Sequence, residues 1–195
     1  MYGNKYKNKG VTSIEDLDSF LNLLADLNEL LELFAIGGTA MVLKKIKEAT
    51  KDIDFLTIEK YGGIKKLFEL AGLKEESPNK ICNVWRLHDM RIDIFYDGFI
   101  MGIPFPEDWI KLSEKIKEIG KVKLYILNWY DIVITKISRA ETRDIEDVIA
   151  IIKSQDLDFD FLKKRYYSIA ETAIISEFDY KFKHLEREYA KRKTD

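Results

Sequence analysis

An apolar run, "LELFAI", ends in two adjacent glycines, Gly37 and Gly38. A short helical stretch, "TAMVLKKIKE", follows, and then "DIDFLTI", in which two aspartates alternate with apolar residues. This arrangement restricts the fold more than anything else in the chain. Strand side chains alternate between faces, so Asp52 and Asp54 share one face of the predicted strand while Ile53 and Phe55 point into a core. Strand, glycine turn, helix and strand within so short a span point to an α/β arrangement. Two carboxylates about 6.5–7 Å apart along one strand face repel each other, and something must offset their charge.

A third acid has the same setting. In "RIDIF", Asp93 is flanked by Ile92 and Ile94. Three carboxylates on neighbouring strands suit hard divalent cations such as Mg²⁺ or Mn²⁺, which take oxygen ligands and leave positions for phosphates. Two such ions about 3.5–4 Å apart are the arrangement used for in-line phosphoryl displacement. The glycines add to this. Lacking Cβ atoms, Gly37 and Gly38 let the main chain approach a phosphate closely, and Thr39 offers a hydroxyl at the start of the next helix. Plainer readings stay open. The Asp52 and Asp54 pair could decorate the outer face of an edge strand, Asp93 could simply pair with Arg91 on its own strand face, and the glycines could make only a tight turn.

The rest of the chain places this cluster in a larger frame. "TSIEDLDSFLNLLADLNELL" opens with a capping signature at Thr12 or Ser13. It repeats apolar residues at helical spacing through Leu17, Phe20, Leu21, Leu24, Leu27 and Leu31, which predicts an amphipathic helix across the segment. "YGGIKKLFELAG" reads as a short helix with a stop at Gly72. "KICNVWRL" and "MRIDIFYD" read as a hairpin turning at His88–Asp89, "GFIMGIPFPEDW" as a loop, and "KVKLYIL" as the last strand. Asn128 caps a helix reaching about Arg139. Beyond Arg143 the chain is helical, with breaks near 154–160 and 176–179. The expectation is an α/β (α+β) core with a mixed sheet and flanking helices over residues 1–127, followed by a C-terminal helical bundle over 128–195.

Composition narrows the function classes. With 46% hydrophobic and 34% charged residues in 195, the chain can bury a full core. A net charge of −2 gives no global field for nucleic acid, and one cysteine, Cys82, allows neither an internal disulfide nor a cysteine zinc cluster. The first ten residues lack the apolar centre of a signal peptide, and no apolar run is long enough to span a membrane, so a cytoplasmic protein with no membrane partner is expected.

The segment "IGGTAMVLKKIKEATKDIDFLT" resembles the signature of the DNA polymerase beta-like nucleotidyltransferase superfamily: an apolar residue, Gly-Gly, a spacer, then two alternating acids, with an isolated acid on a later strand. Gly37, Gly38, Asp52, Asp54 and Asp93 match it. The "GGTA" start resembles the AbiEii-type branch, which includes toxins of toxin–antitoxin pairs. So does "DIVITKISRAETRDIEDVIAII", with Lys136 and the Arg143, Asp144 and Asp147 of an R-D-x-x-D pattern. The resemblance covers roughly residues 33–152. It implies transfer of a nucleoside monophosphate from an NTP to a hydroxyl of an RNA, such as a tRNA 3′ end, or of a protein, with release of pyrophosphate. Asp52, Asp54 and Asp93 would hold two metal ions, and Asp93 would also help deprotonate the acceptor. Gly37, Gly38 and Thr39 would cradle the phosphates, Lys136 would meet the triphosphate, and Arg143, Asp144 and Asp147 would support the site. An antitoxin is the implied protein partner. The alternatives are a nucleotide-binding sensor or antitoxin-like module of the same fold without turnover, and, for the R-D-x-x-D segment, a structural ion-pair cluster joining two helices.

Overall fold

The computed structural model describes residues 12–77, 82–173 and 175–192. The first ten residues, and Lys80 and Ile81 of the expected hairpin strand, lie outside the described residues. The described chain forms two compact units. The first comprises its residues up to Gly98 together with Glu114–Ile126; the second comprises Phe99–Ser113 and the residues from Leu127 onward.

The first unit begins with α1 (Ile14–Ala25), capped by Ser13, whose hydroxyl accepts from the Asp16 N–H while the Asp16 carboxylate accepts from the Ser13 N–H. It continues through β1 (Leu31–Ala35), α2 (Gly37–Leu43), β2 (Ile53–Thr57), α3 (Tyr61–Leu70), β3 (Lys74–Ser77), β4 (Cys82–Leu87) and β5 (Met90–Tyr96). After Glu114 come β8 (Glu114–Ile119) and β9 (Val122–Ile126). Among the described residues these strands form one sheet in the order β3-β4-β5-β2-β1-β9-β8. It is mixed, as the sequence leads one to expect: β1 runs antiparallel to β2 and parallel to β9, and β2 runs parallel to β5. The helices α1 and α3 cover one face. Phe20 of α1 stacks on Phe55 at 6.2 Å, and Phe68 of α3 meets Trp85 edge-on at 5.3 Å. Ile53, Phe55, Trp85, Ile92 and Ile94 on that face are fully buried. Large side chains so enclosed each contribute about 1.5–3 kcal/mol of transfer free energy.

Two features depart from the reading of the sequence. The first helix stops at Ala25 rather than running on to Leu31. Asn28 takes a left-handed conformation, φ 54°, which ends the helical path, and Leu31 and Leu33 then alternate inward as strand residues. Their helical spacing after Leu24 is coincidental. Strands β3 and β8 were not expected. "KEES" and "EKIKEI" are mostly charged because they are the two sheet edges, where Lys and Glu discourage pairing with other chains.

The second unit holds β6 (Phe99–Ile100) and β7 (Ile103–Pro104), a small hairpin inside the stretch read as a loop. It also holds four helices: α4 (Trp129–Arg139), α5 (Thr142–Ser154), α6 (Phe159–Thr172) and α7 (Phe178–Lys191). Asn128 caps α4 as expected, accepting from the Asp131 N–H. Helices α6 and α7 join through Phe159, Tyr166 and Phe182, with Tyr166 and Phe182 ring centroids 4.9 Å apart. No helix among the described residues is long and apolar enough to cross a membrane.

Candidate active site

The glycine turn is built for contact with β2. The Ile36 N–H donates to the Asp54 carbonyl, joining the end of β1 to the start of β2. Gly37 then takes φ +53°, a conformation that costs an L side chain free energy. A Cβ on Gly37 would stand 3.2 Å from Asp54 Oδ2, so the side chain of Asp54 lies against the turn. A Cβ on Gly38 would come within 2.3 Å of Thr50 Oγ1. Gly38 is needed because the Thr50 segment crosses there, held by a two-way backbone bridge to Thr12. The Thr39 hydroxyl is buried and already engaged: it accepts from the Asp54 N–H at 2.8 Å and donates toward the Asp52 carbonyl at 3.4 Å. Thr39 therefore fixes the backbone on which both aspartates are mounted.

Two of the three acids meet across the sheet, and the third stands near the same guanidinium. Asp54 and Asp93 are register partners across the parallel pair β2 and β5, with Asp52 immediately before β2. Alternation puts Asp54 and Asp93 on the sheet face opposite the aromatic core of α1 and α3. Arg91, two residues before Asp93 and on the same face, spans the cluster. Its Nε donates to Asp93 Oδ1 and its Nη2 to Asp93 Oδ2, both at 2.8 Å, and Nε lies 3.7 Å from Asp52 Oδ1. The Asp93 hydrogen bonds raise the pKa of the Arg91 guanidinium above its ordinary value. Cys82, on the neighbouring β4, is pushed up to about 12 by burial first and then by the negative charges of Asp93 and Asp54.

No group of three or more His, Cys, Asp or Glu side chains among the described residues is set to hold a metal ion. The donor chemistry nevertheless suits a hard divalent cation. Asp54 and Asp93 are paired across the strands, and the absence of a Cβ at Gly37 leaves space beside Asp54 that any other residue would fill. A guanidinium supplies one positive charge to these acids, on Asp93.

Lys136 and the R-D-x-x-D residues belong to the second unit. The Lys136 ammonium is buried and donates to Asp147 Oδ2 at 2.7 Å, with Asp144 Oδ1 at 3.6 Å. Asp144 is fully enclosed and takes a two-pronged contact from Arg139, Nε at 2.9 Å and Nη2 at 2.6 Å, plus the Glu141 N–H. Burial pushes its carboxyl upward, but Arg139 and Lys136 outweigh this and hold it below the usual carboxylate range. Asp144 and Asp147 thus join Lys136, whereas Arg143 points outward and pairs with Glu141. Arg139 takes the place expected for Arg143, one helix earlier. A second network was not foreseen: buried Asp131 accepts from Arg165 Nε at 2.7 Å, and Arg165 also reaches Asp108. No local motif announces a pair so far apart in the chain.

Relatives in structure and sequence agree with this architecture. The fold is similar to that of ANT(2″)-Ia in a crystal structure with adenylyl-2″-tobramycin, at TM-score 0.59 and 16% identity over 80% of this chain and 96% of that one. It is also similar to the solution structure of the same antibiotic-resistance factor, at TM-score 0.60 and 14% identity over 92% and 99%. At such identities the likeness establishes the fold. No curated protein sequence matches the chain. Residues 12–195 match the family described as nucleotidyltransferase of unknown function, DUF6036, and the chain belongs to that family.

Proposed function

We propose that this nucleotidyltransferase moves a nucleoside monophosphate from an NTP to a hydroxyl acceptor, using Asp52, Asp54 and Asp93 to hold two divalent ions, Mg²⁺ or Mn²⁺. The observation that carries this reading is the pairing of Asp54 with Asp93 across parallel strands, beside a turn whose Gly37 leaves room next to Asp54. Ions held by these carboxylates would supply positive charge to the α-phosphate and to the departing pyrophosphate. The acceptor oxygen bonds to the α-phosphorus, the bond from that phosphorus to the bridging oxygen breaks, and pyrophosphate leaves with the electron pair. Asp93, once its carboxylate is free, takes the acceptor proton. Gly37 lets the main chain approach the phosphates, Gly38 makes room for Thr50 against the turn, and Thr39 keeps Asp52 and Asp54 in place from behind.

ANT(2″)-Ia, solved with an adenylylated tobramycin, supports a hydroxyl as the accepting group. The likeness of "GGTA" and the Asp144–Asp147 helix to AbiEii-type sequences supports an RNA or protein hydroxyl, and an antitoxin as partner. The test is incubation with Mg²⁺ or Mn²⁺, each α-labelled NTP in turn, and total tRNA or cell lysate, resolved on a gel. Label should enter one macromolecular class and be absent with Asp54→Asn. If no acceptor, small or large, becomes labelled under any NTP, the reading fails.

A further inference from the structure

Arg91 sits where the reading above needs positive charge, and its contacts give it a role of its own. Both oxygens of Asp93 are taken by one guanidinium, and the same Nε faces Asp52. While that fork is closed, the guanidinium competes with any cation or proton for the Asp93 oxygens and repels a cation from them. Asp93 is nearly buried, so its charge has little water to turn to, whereas the Arg91 side chain is 40% exposed and free to swing outward. Where it would swing is already basic. Arg86 is the direct cross-strand partner of Arg91 on the same sheet face, held by Glu76. Like charges directly opposite each other on a sheet are unfavourable unless something anionic joins them. Planar guanidinium forks also match phosphate oxygens with two hydrogen bonds at once.

We propose that Arg91 is an exchangeable counter-ion: it locks Asp93 and screens Asp52 in the ligand-free protein, then transfers to the triphosphate of the incoming NTP when divalent metal takes the carboxylates. This rests on the metal-dependent reading of the same acids. It makes metal and nucleotide binding mutually reinforcing. Bare metal must displace Arg91 with no new partner for the guanidinium, whereas metal arriving with a triphosphate provides one. Such coupling is reciprocal between the two ligands.

The test uses full-length protein and two probes that require no knowledge of the preferred base. Free Mn²⁺ is titrated by its electron paramagnetic resonance signal, and preformed Mn²⁺–tripolyphosphate is titrated by calorimetry, against wild type, Arg91→Gln, Arg91→Lys and Asp54→Asn. Arg91→Gln is expected to bind bare Mn²⁺ about tenfold more tightly and Mn²⁺–tripolyphosphate about tenfold more weakly, within the usual range of coupling between sites. Arg91→Lys, which keeps the charge but loses the fork, should fall between. Opposite movements of the two affinities cannot come from simple damage to the fold, which would weaken both. Parallel losses in Arg91→Gln and Arg91→Lys, or unchanged affinities, overturn the proposal while leaving the acid site standing, provided Asp54→Asn still abolishes Mn²⁺ binding. If Mn²⁺ binds none of the proteins, or binds without regard to Asp54, the metal-site reading fails and this inference goes with it.

Discussion

Asp54 and Asp93 face each other as Cα partners across the parallel strands β2 and β5. Register in a sheet is all or nothing: a shift of one residue would carry Asp93 to the opposite face and bring Ile92 or Ile94 in its place. The packing of Ile53, Phe55, Ile92 and Ile94 on the far face therefore does more than build a core. It keeps the two acids together.

Asp54→Asn and Asp93→Asn should each lower nucleotidyl transfer by about a hundredfold or more, the scale seen when charge stabilisation at a reacting centre is removed. Asp54→Asn should leave the melting temperature nearly unchanged, whereas Asp93→Asn gives up the Arg91 fork and should lower it. Labelled-NTP transfer alongside thermal melts checks this. Full activity in either variant would remove that carboxylate from the chemistry.

Gly37→Ala and Gly38→Ala should fail for different reasons. At Gly37 the left-handed backbone and the 3.2 Å approach to Asp54 Oδ2 should cost about 1–3 kcal/mol and displace the aspartate. At Gly38 the new methyl meets Thr50 Oγ1, costing about 1–3 kcal/mol by overpacking. Thr50→Ala should therefore recover part of the stability lost in Gly38→Ala and none of that lost in Gly37→Ala. Urea denaturation of the two double variants measures the coupling.

What the sequence revealed and what it concealed follow from interaction range. The Gly37–Gly38 turn, the Asp52–Asp54 alternation and the Asn128 cap are set by neighbours a few residues away, so they could be read from the chain. Asp93 was legible because an acid between Ile92 and Ile94 is unusual. The Arg91 fork was visible only as a possible ion pair, since nothing in one dimension says that a single side chain occupies both oxygens of Asp93. Leu31 misled because a leucine-rich run fits helical spacing until Asn28 breaks the path. The edge strands β3 and β8 carry too few apolar residues to announce themselves, and the Asp131–Arg165 pair depends wholly on how distant helices meet.

The Lys136 cluster should govern acid stability. Asp144 is held below its ordinary carboxyl range of 3.8, so its contribution is present above about that pH and lost as pH falls through the lower, folded-state value. Urea midpoints measured from pH 7 down to pH 2 should drop steeply below pH 4, and Arg139→Gln should flatten that drop. Lys136→Met should destabilise the protein by about 3–5 kcal/mol at neutral pH, because it leaves Asp147 buried without the ammonium it now faces.

Cys82 should behave as an inert thiol. Its pKa, raised from 9.0 to about 12, keeps it protonated at neutral pH, and the thiolate is the reactive form. Alkylation by iodoacetamide at pH 8 should be far slower in the native protein than in the urea-unfolded chain. The sign for stability follows: the contribution of Cys82 is complete below pH 9 and declines as pH rises toward 12. Cys82→Ala should abolish that part of the alkaline loss.

The Arg91 fork has a consequence for how the protein is made. A newly synthesised chain whose Asp93 is paired from within does not depend on a dissolved ion to hold that carboxylate in its final place. Chelators should leave it folded, and it can persist fully formed where magnesium is scarce, with only its chemistry waiting on supply.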